Sequence, residues 1–127
     1  MIKSILIVDD SRIARMMLNS CILQYKSYEI FQAEDGQKAI EKYKEIQPQV
    51  VFMDLTMPVL NGFEATKEII QLNKDAIIFV ITADVQPKSV EKITEIGAFD
   101  VIKKPAEPEN IKNALIKAEA ALKQRQK

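Results

Sequence analysis

Five short apolar runs, at residues 5–8, 28–33, 50–53, 77–81 and 99–102, punctuate the chain, and each is rich in β-branched residues. Runs of this length and makeup predict strands. Each is followed by a longer stretch with apolar residues at helical spacing, at 11–25, 36–46, 61–72, 87–96 and 107–124. The chain therefore reads as five βα units. The first, third and fourth runs are apolar without alternation, the pattern of parallel strands covered by helices on both faces. The expected fold is α/β, a doubly wound five-stranded parallel sheet. Pro87 suits a first helical turn and Gly97 a helix stop. Met16, Met17, Leu18, Cys21 and Ile22 form an apolar helical stripe, with Cys21 expected as a buried thiol. Pro58 and Gly62 are placed to shape a loop and open the third helix, and Gly62 equally suits close backbone packing. Glu41, Lys42, Lys44 and Glu45 predict a solvated helix face, as do Lys112, Lys117, Lys123 and Arg125 mixed with Glu109 and Glu119.

Composition narrows the function. With 127 residues and 47% apolar content the chain suits one domain, 1–127, with one sizeable core. Lys plus Arg (18) equals Asp plus Glu (18), so no net field attracts nucleic acid or an anionic membrane. No apolar stretch approaches the ~20 residues of a membrane span, and the first residues lack the layout of a signal peptide. A cytoplasmic location is the expectation. One cysteine leaves no internal disulfide, and zero histidines remove the usual metal ligand and proton shuttle. Carboxylates, hydroxyls and lysines are left to carry the chemistry. The polar tail 123–127 reads as a frayed end or a point where a longer chain continues.

Sheets of this type bind ligands beyond the carboxyl ends of their strands, where strand order reverses. The residues at those ends are Asp9-Asp10, Asp54, Thr82-Ala83-Asp84 and Lys103-Lys104-Pro105. Three carboxylates at one edge repel one another unless a cation or protons offset them. Carboxylate oxygens without His or Cys favour Mg²⁺. With such an ion, Asp54 can attack phosphorus and form an aspartyl-phosphate. A lysine then supplies positive charge to one phosphoryl oxygen and a threonine hydroxyl donates to another. Taken singly, each residue has a structural reading: Asp10 or Ser11 as a helix cap, Thr82 as a strand end, Lys104 as a surface charge. Four compatible groups at four strand ends favour the site.

In that order, Asp9-Asp10, Asp54, Thr82 and Lys104-Pro105 resemble the receiver domains of two-component response regulators, over essentially the whole chain. Residues 53–58 followed by Asn61-Gly62 look like the loop after a receiver phosphoacceptor. Residues 5–11 look like a receiver's first strand and acidic pair. With no output module the chain is most similar to single-domain, CheY-like members, a type for which the strand order is 2-1-3-4-5. The resemblance implies that Asp10 and Asp54 bind Mg²⁺ through side chains, Asp9 mainly through a water, and Thr56 through its carbonyl. It implies phosphoryl contacts from Lys104 and Thr82, an outward-facing Lys103, and a cis Lys104-Pro105 bond. Thr56 and Asp84 become candidates for tuning hydrolysis. The implied donor is a histidine kinase or phosphotransfer protein, the output partner is another protein, and the chain is a monomer or a phosphorylation-linked dimer.

Two positions depart from the family pattern. Many receivers carry Tyr or Phe where this chain has Val101, and Phe where it has Ala106. Phe99, two residues before Val101, is a substitute ring or a core or interface residue. A receiver-like scaffold that keeps the fold without the chemistry is one alternative reading. A flavodoxin-like flavin carrier shares the sheet, but two acids follow the first strand where its phosphate loop belongs. A haloacid dehalogenase-type phosphatase would place an Asp-x-Asp motif there, which this chain lacks.

Overall fold

A computed structural model describes residues 2–55 and 60–125. All five expected βα units form, in the order β1 (Ser4–Val8), α1 (Arg12–Tyr25), β2 (Glu29–Ala33), α2 (Gly36–Ile46), β3 (Val50–Asp54), α3 (Gly62–Leu72), β4 (Ile77–Thr82), α4 (Pro87–Glu95), β5 (Asp100–Lys103) and α5 (Pro108–Arg125). The strands make one parallel sheet in the order β2-β1-β3-β4-β5. β1, β3 and β4 are buried along their whole length, which is why their sequences do not alternate. β2, at an edge, is only partly buried.

Alternate strand residues feed two cores. On one face Ile5, Ile7, Phe52, Phe79 and Ile81 pack against Leu18, Cys21 and Ile22 of α1 and Ile111, Leu115 and Ala118 of α5. On the other, Leu6, Val8, Val51, Met53 and Val80 pack against Ala39 and Ile40 of α2, Ala65 and Ile69 of α3, and Ile93 of α4. Helix ends follow local chemistry. Ser11, Asp35 and Asn61 each accept a hydrogen bond from a backbone N–H three residues on, capping α1, α2 and α3. Pro87 opens α4, and Gly97 at φ 107° carries the chain away after it. Among the described residues, no helix is long and apolar enough to cross a membrane.

One expectation needs correction. Met16 and Met17 are more than half exposed, at 59% and 57%, because successive helical residues step by about 100° and the buried arc is Leu18, Cys21 and Ile22. The expected solvated face of α5 forms, with Glu109, Lys112, Lys117, Lys123 and Arg125 exposed and Glu119 half-buried, and some of these side chains also reach neighbouring segments. Glu119 accepts from Tyr28 Oη at 2.7 Å and pairs with Lys26 Nζ at 3.2 Å, Lys117 pairs with Asp100 at 3.0 Å, and Arg125 donates to the Asp75 carbonyl at 2.7 Å. α5 runs through Arg125, and residues 126–127 of the tail lie outside the described residues.

Candidate functional site

Parallel pairing brings the strand ends into one row. Val8 lies beside Met53, Asp54 beside Ile81, and Thr82 beside Lys103. Asp9 and Asp10 leave β1 at this edge, Asp54 closes β3, Thr82 closes β4, and Lys104 follows β5. The Lys104 N–H donates to the Thr82 carbonyl at 2.9 Å, extending the β4·β5 ladder one step. The row includes the reversal between β1 and β3, from which the sheet grows outward in both directions.

Asp9, Asp10 and Asp54 each offer a carboxylate oxygen within 4.8 Å of the others. Like charges at that range repel by on the order of 3–4 kcal/mol per pair at an effective dielectric of about 20. Lys104 Nζ is ion-paired with Asp54 Oδ1 and offsets one of the three charges. Asp54 is only 3% exposed, and its Oδ1 has no hydrogen bond of normal geometry. Burial pushes the Asp9 carboxyl above its ordinary range and the Asp54 charge adds to this, while the Ser11 N–H and Lys104 oppose it. An all-oxygen acidic donor set, with one lysine offsetting only one of three carboxylate charges, fits a hard divalent cation.

Thr82 is 8% exposed, and its Oγ1 accepts from the Asp84 N–H at 3.1 Å. Its own hydroxyl proton is left to donate elsewhere. The Asp84 carboxylate accepts from the Gln86 N–H at 3.1 Å and from Ser89 Oγ at 2.6 Å, binding the β4–α4 turn to the first turn of α4. These bonds hold its carboxyl below the usual range. Lys103 is exposed, and the Lys104-Pro105 bond is cis. Thr56 and Pro58 lie outside the described residues. Gly62 serves both expected purposes: it opens α3, and a Cβ there would fall 1.9 Å from the Asp54 carbonyl oxygen.

Phe99 and Val101 sit in opposite layers. Phe99 packs edge-on to Phe79, with centroids 5.4 Å apart, in the core shared with α1 and α5, whereas Val101 joins the core beneath α2, α3 and α4. Phe99 precedes β5, so the strand alternation that would place it beside Val101 does not reach it. Partly buried, it packs against the core shared with α1 and α5 and is not a substitute ring at the site.

One residue that the patterning treats as an ordinary polar helix position also reaches the site. Arg15 donates to the Asp9 main-chain carbonyl at 2.6 Å. Its signal in the sequence is spacing alone, one turn beyond the cap Ser11.

The response regulator receiver domain model matches residues 5–116. The chain is 43% identical over 116 residues to the chemotaxis protein CheY of Thermotoga maritima, covering 91% of this chain and 96% of that protein. It is 39% identical over 113 residues to the chemotaxis protein CheY of Bacillus subtilis, covering 89% and 94%. Among solved structures, the CheX–CheY–BeF3–Mg²⁺ complex from Borrelia burgdorferi matches with a TM-score of 0.87 and 27% identity, over 92% of this chain and 89% of that one. These likenesses give the flavin-carrier alternative no support.

Proposed function

This chain belongs to the response regulator receiver family, and on that premise we propose that Asp54 is the residue that accepts the phosphoryl group. We read residues 1–127 as one receiver domain working in the cytoplasm. The donor is the phosphohistidine of a histidine kinase or phosphotransfer protein, and a small acyl phosphate can replace it. An Asp54 carboxylate oxygen attacks phosphorus in line; the new P–O bond forms as the P–N bond breaks, and the donor imidazole leaves with its electron pair and takes a proton. Hydrolysis reverses the state: water attacks phosphorus, the P–O bond to Asp54 breaks, and inorganic phosphate departs.

The observation that carries this reading is the pairing of the buried Asp54 carboxylate with Lys104 inside a three-carboxylate cluster. Lys104 is paired with the Asp54 carboxylate and so already stands where a phosphoryl oxygen needs a cation. Asp9, Asp10 and Asp54, with the Thr56 carbonyl, would hold Mg²⁺. That ion, when bound, supplies positive charge that offsets the acidic cluster and the phosphoryl oxygens. Thr82 turns its hydroxyl toward a phosphoryl oxygen. Because Oγ1 also accepts from the Asp84 N–H, any movement of Thr82 toward that oxygen pulls on the turn entering α4. The signal then leaves through α4, β5 and α5 to a partner protein without an aromatic at position 101. The differential contacts shift a two-state equilibrium, and about 5.5 kcal/mol moves it from 1:99 to 99:1. The chain's chemistry is thus directed at itself, as monomer or phosphorylation-linked dimer.

Intact-mass measurement after incubation with Mg²⁺ and acetyl phosphate tests the assignment. Wild type gains one phosphoryl group and Asp54→Asn gains none. Equal modification of the two proteins refutes it.

A further inference from the structure

We propose that Arg15 is a positioning residue for the acidic pair, acting with Gln32 as a clamp on the peptide between Asp9 and Asp10; the inference rests on the phosphoacceptor-site reading above. Side chains on a helix tilt toward its N-terminus, so Arg15, one turn into α1, lies over the loop that enters the helix. Its Nη1 donates to the Asp9 carbonyl at 2.6 Å and its Nε donates to Gln32 Oε1 at 2.9 Å. Gln32 belongs to β2 and sits beside Ile7 of β1, so the sheet itself braces the guanidinium.

The consequence falls on Asp10. A peptide group is planar and stiff, so fixing the Asp9 oxygen fixes the direction in which the chain departs toward Asp10. Other bonds hold the loop on either side. The Asp9 N–H donates to the Ala33 carbonyl at 3.2 Å, the Ser11 N–H to Asp9 Oδ1 at 2.9 Å, and the Ala14 N–H to Ser11 Oγ at 3.1 Å. Asp10 is exposed, so the aim of its carboxylate depends on the backbone beneath it.

Charge and positioning predict opposite signs. A guanidinium has the same sign as a divalent cation, so if Arg15 acted only through space its removal would tighten Mg²⁺ binding. As a clamp, its removal weakens binding, since supporting contacts that orient metal ligands are worth roughly 10- to 100-fold in affinity. The lower end, about tenfold, is expected because the other loop bonds remain. Lysine can reach one of the two oxygens but cannot present the planar fork, so Arg15→Lys restores only part. Gln32→Ala frees the guanidinium while leaving its bond to Asp9, and loses less.

The test is a Mg²⁺ titration of the full chain, followed by calorimetry or backbone amide shifts, for wild type, R15A, R15K, Q32A and D10N, with thermal unfolding to confirm folding. R15A should bind about tenfold more weakly, with R15K and Q32A intermediate. Binding by folded R15A that equals or exceeds wild type overturns the clamp, and if R15A does not fold, unchanged binding by R15K and Q32A does the same. If wild type shows no Mg²⁺ binding that D10N weakens, the site reading itself fails and the clamp fails with it.

Discussion

Gly62 leaves no room for a side chain, because a methyl group there would overlap the carbonyl of Asp54 itself. Gly62→Ala should therefore destabilise the fold by about 1–3 kcal/mol and displace Asp54. Urea unfolding measures the first effect, and the rate of modification by acetyl phosphate the second. Lys104 presents a different balance. Its loss leaves a buried carboxylate without its cation, which for a fully buried pair costs about 3–5 kcal/mol. Lys104 is 38% exposed, so water replaces part of the interaction and Lys104→Ala should cost nearer 1–2 kcal/mol in chemical unfolding. Unchanged stability would mean that the ion pair does not support Asp54. Asp9, Asp10, Asp54, Thr82 and Lys104 were legible in the sequence because each stands at the end of an apolar run, and the fold type brings such ends together. Arg15 and Gln32 were not, since their partnership depends on α1 packing beside β2, and neither residue type is unusual in its own segment.

At the scale of elements, the buried strands announced themselves as unbroken apolar runs, and the caps of α1, α2 and α3 are the Ser, Asp and Asn that stand before them. Apolarity and burial part company on α1. Met16 and Met17 are apolar but lie off the buried arc of α1. The polar contacts of α5 with the α1–β2 loop, the α3–β4 loop and β5 join residues distant in sequence, which patterning along one helix does not reveal. One of those contacts has a pH signature. The Tyr28 hydroxyl and then the Lys26 ammonium hold the Glu119 carboxyl below its ordinary value of 4.5, while the Tyr28 phenol is pushed up by burial and by this bond. A carboxylate depressed on folding contributes stability that is present above its unfolded pKa and lost as pH falls through the folded one. Unfolding measured from neutral pH downward should show part of the stability lost below pH 4.5, and Glu119→Gln should flatten that part of the profile. An identical acid profile in the variant would show that this contact does not link α5 to its neighbours.

For the whole molecule, four strand ends meet on one edge of a sheet whose two faces are covered by helical layers. A ligand that binds only the folded state stabilises it by RT ln(1 + [L]/Kd), about 2.7 kcal/mol at a hundred times Kd. Mg²⁺ should raise the unfolding midpoint of wild type, and the gain should shrink in Asp10→Asn; equal gains would place the ion elsewhere. The doubly wound order followed from the five βα units and the family resemblance together, whereas the assignment of Val101 and Phe99 to opposite layers needed the structure, because β5 begins one residue later than its apolar run. The most direct measurement is to find where the phosphoryl group attaches. Wild type is treated with acetyl phosphate and Mg²⁺, the acyl phosphate is trapped by borohydride reduction, and the modified residue is identified by peptide mapping. A single modification at Asp54 is the predicted result, and a label on Asp9, Asp10 or any other residue would contradict it.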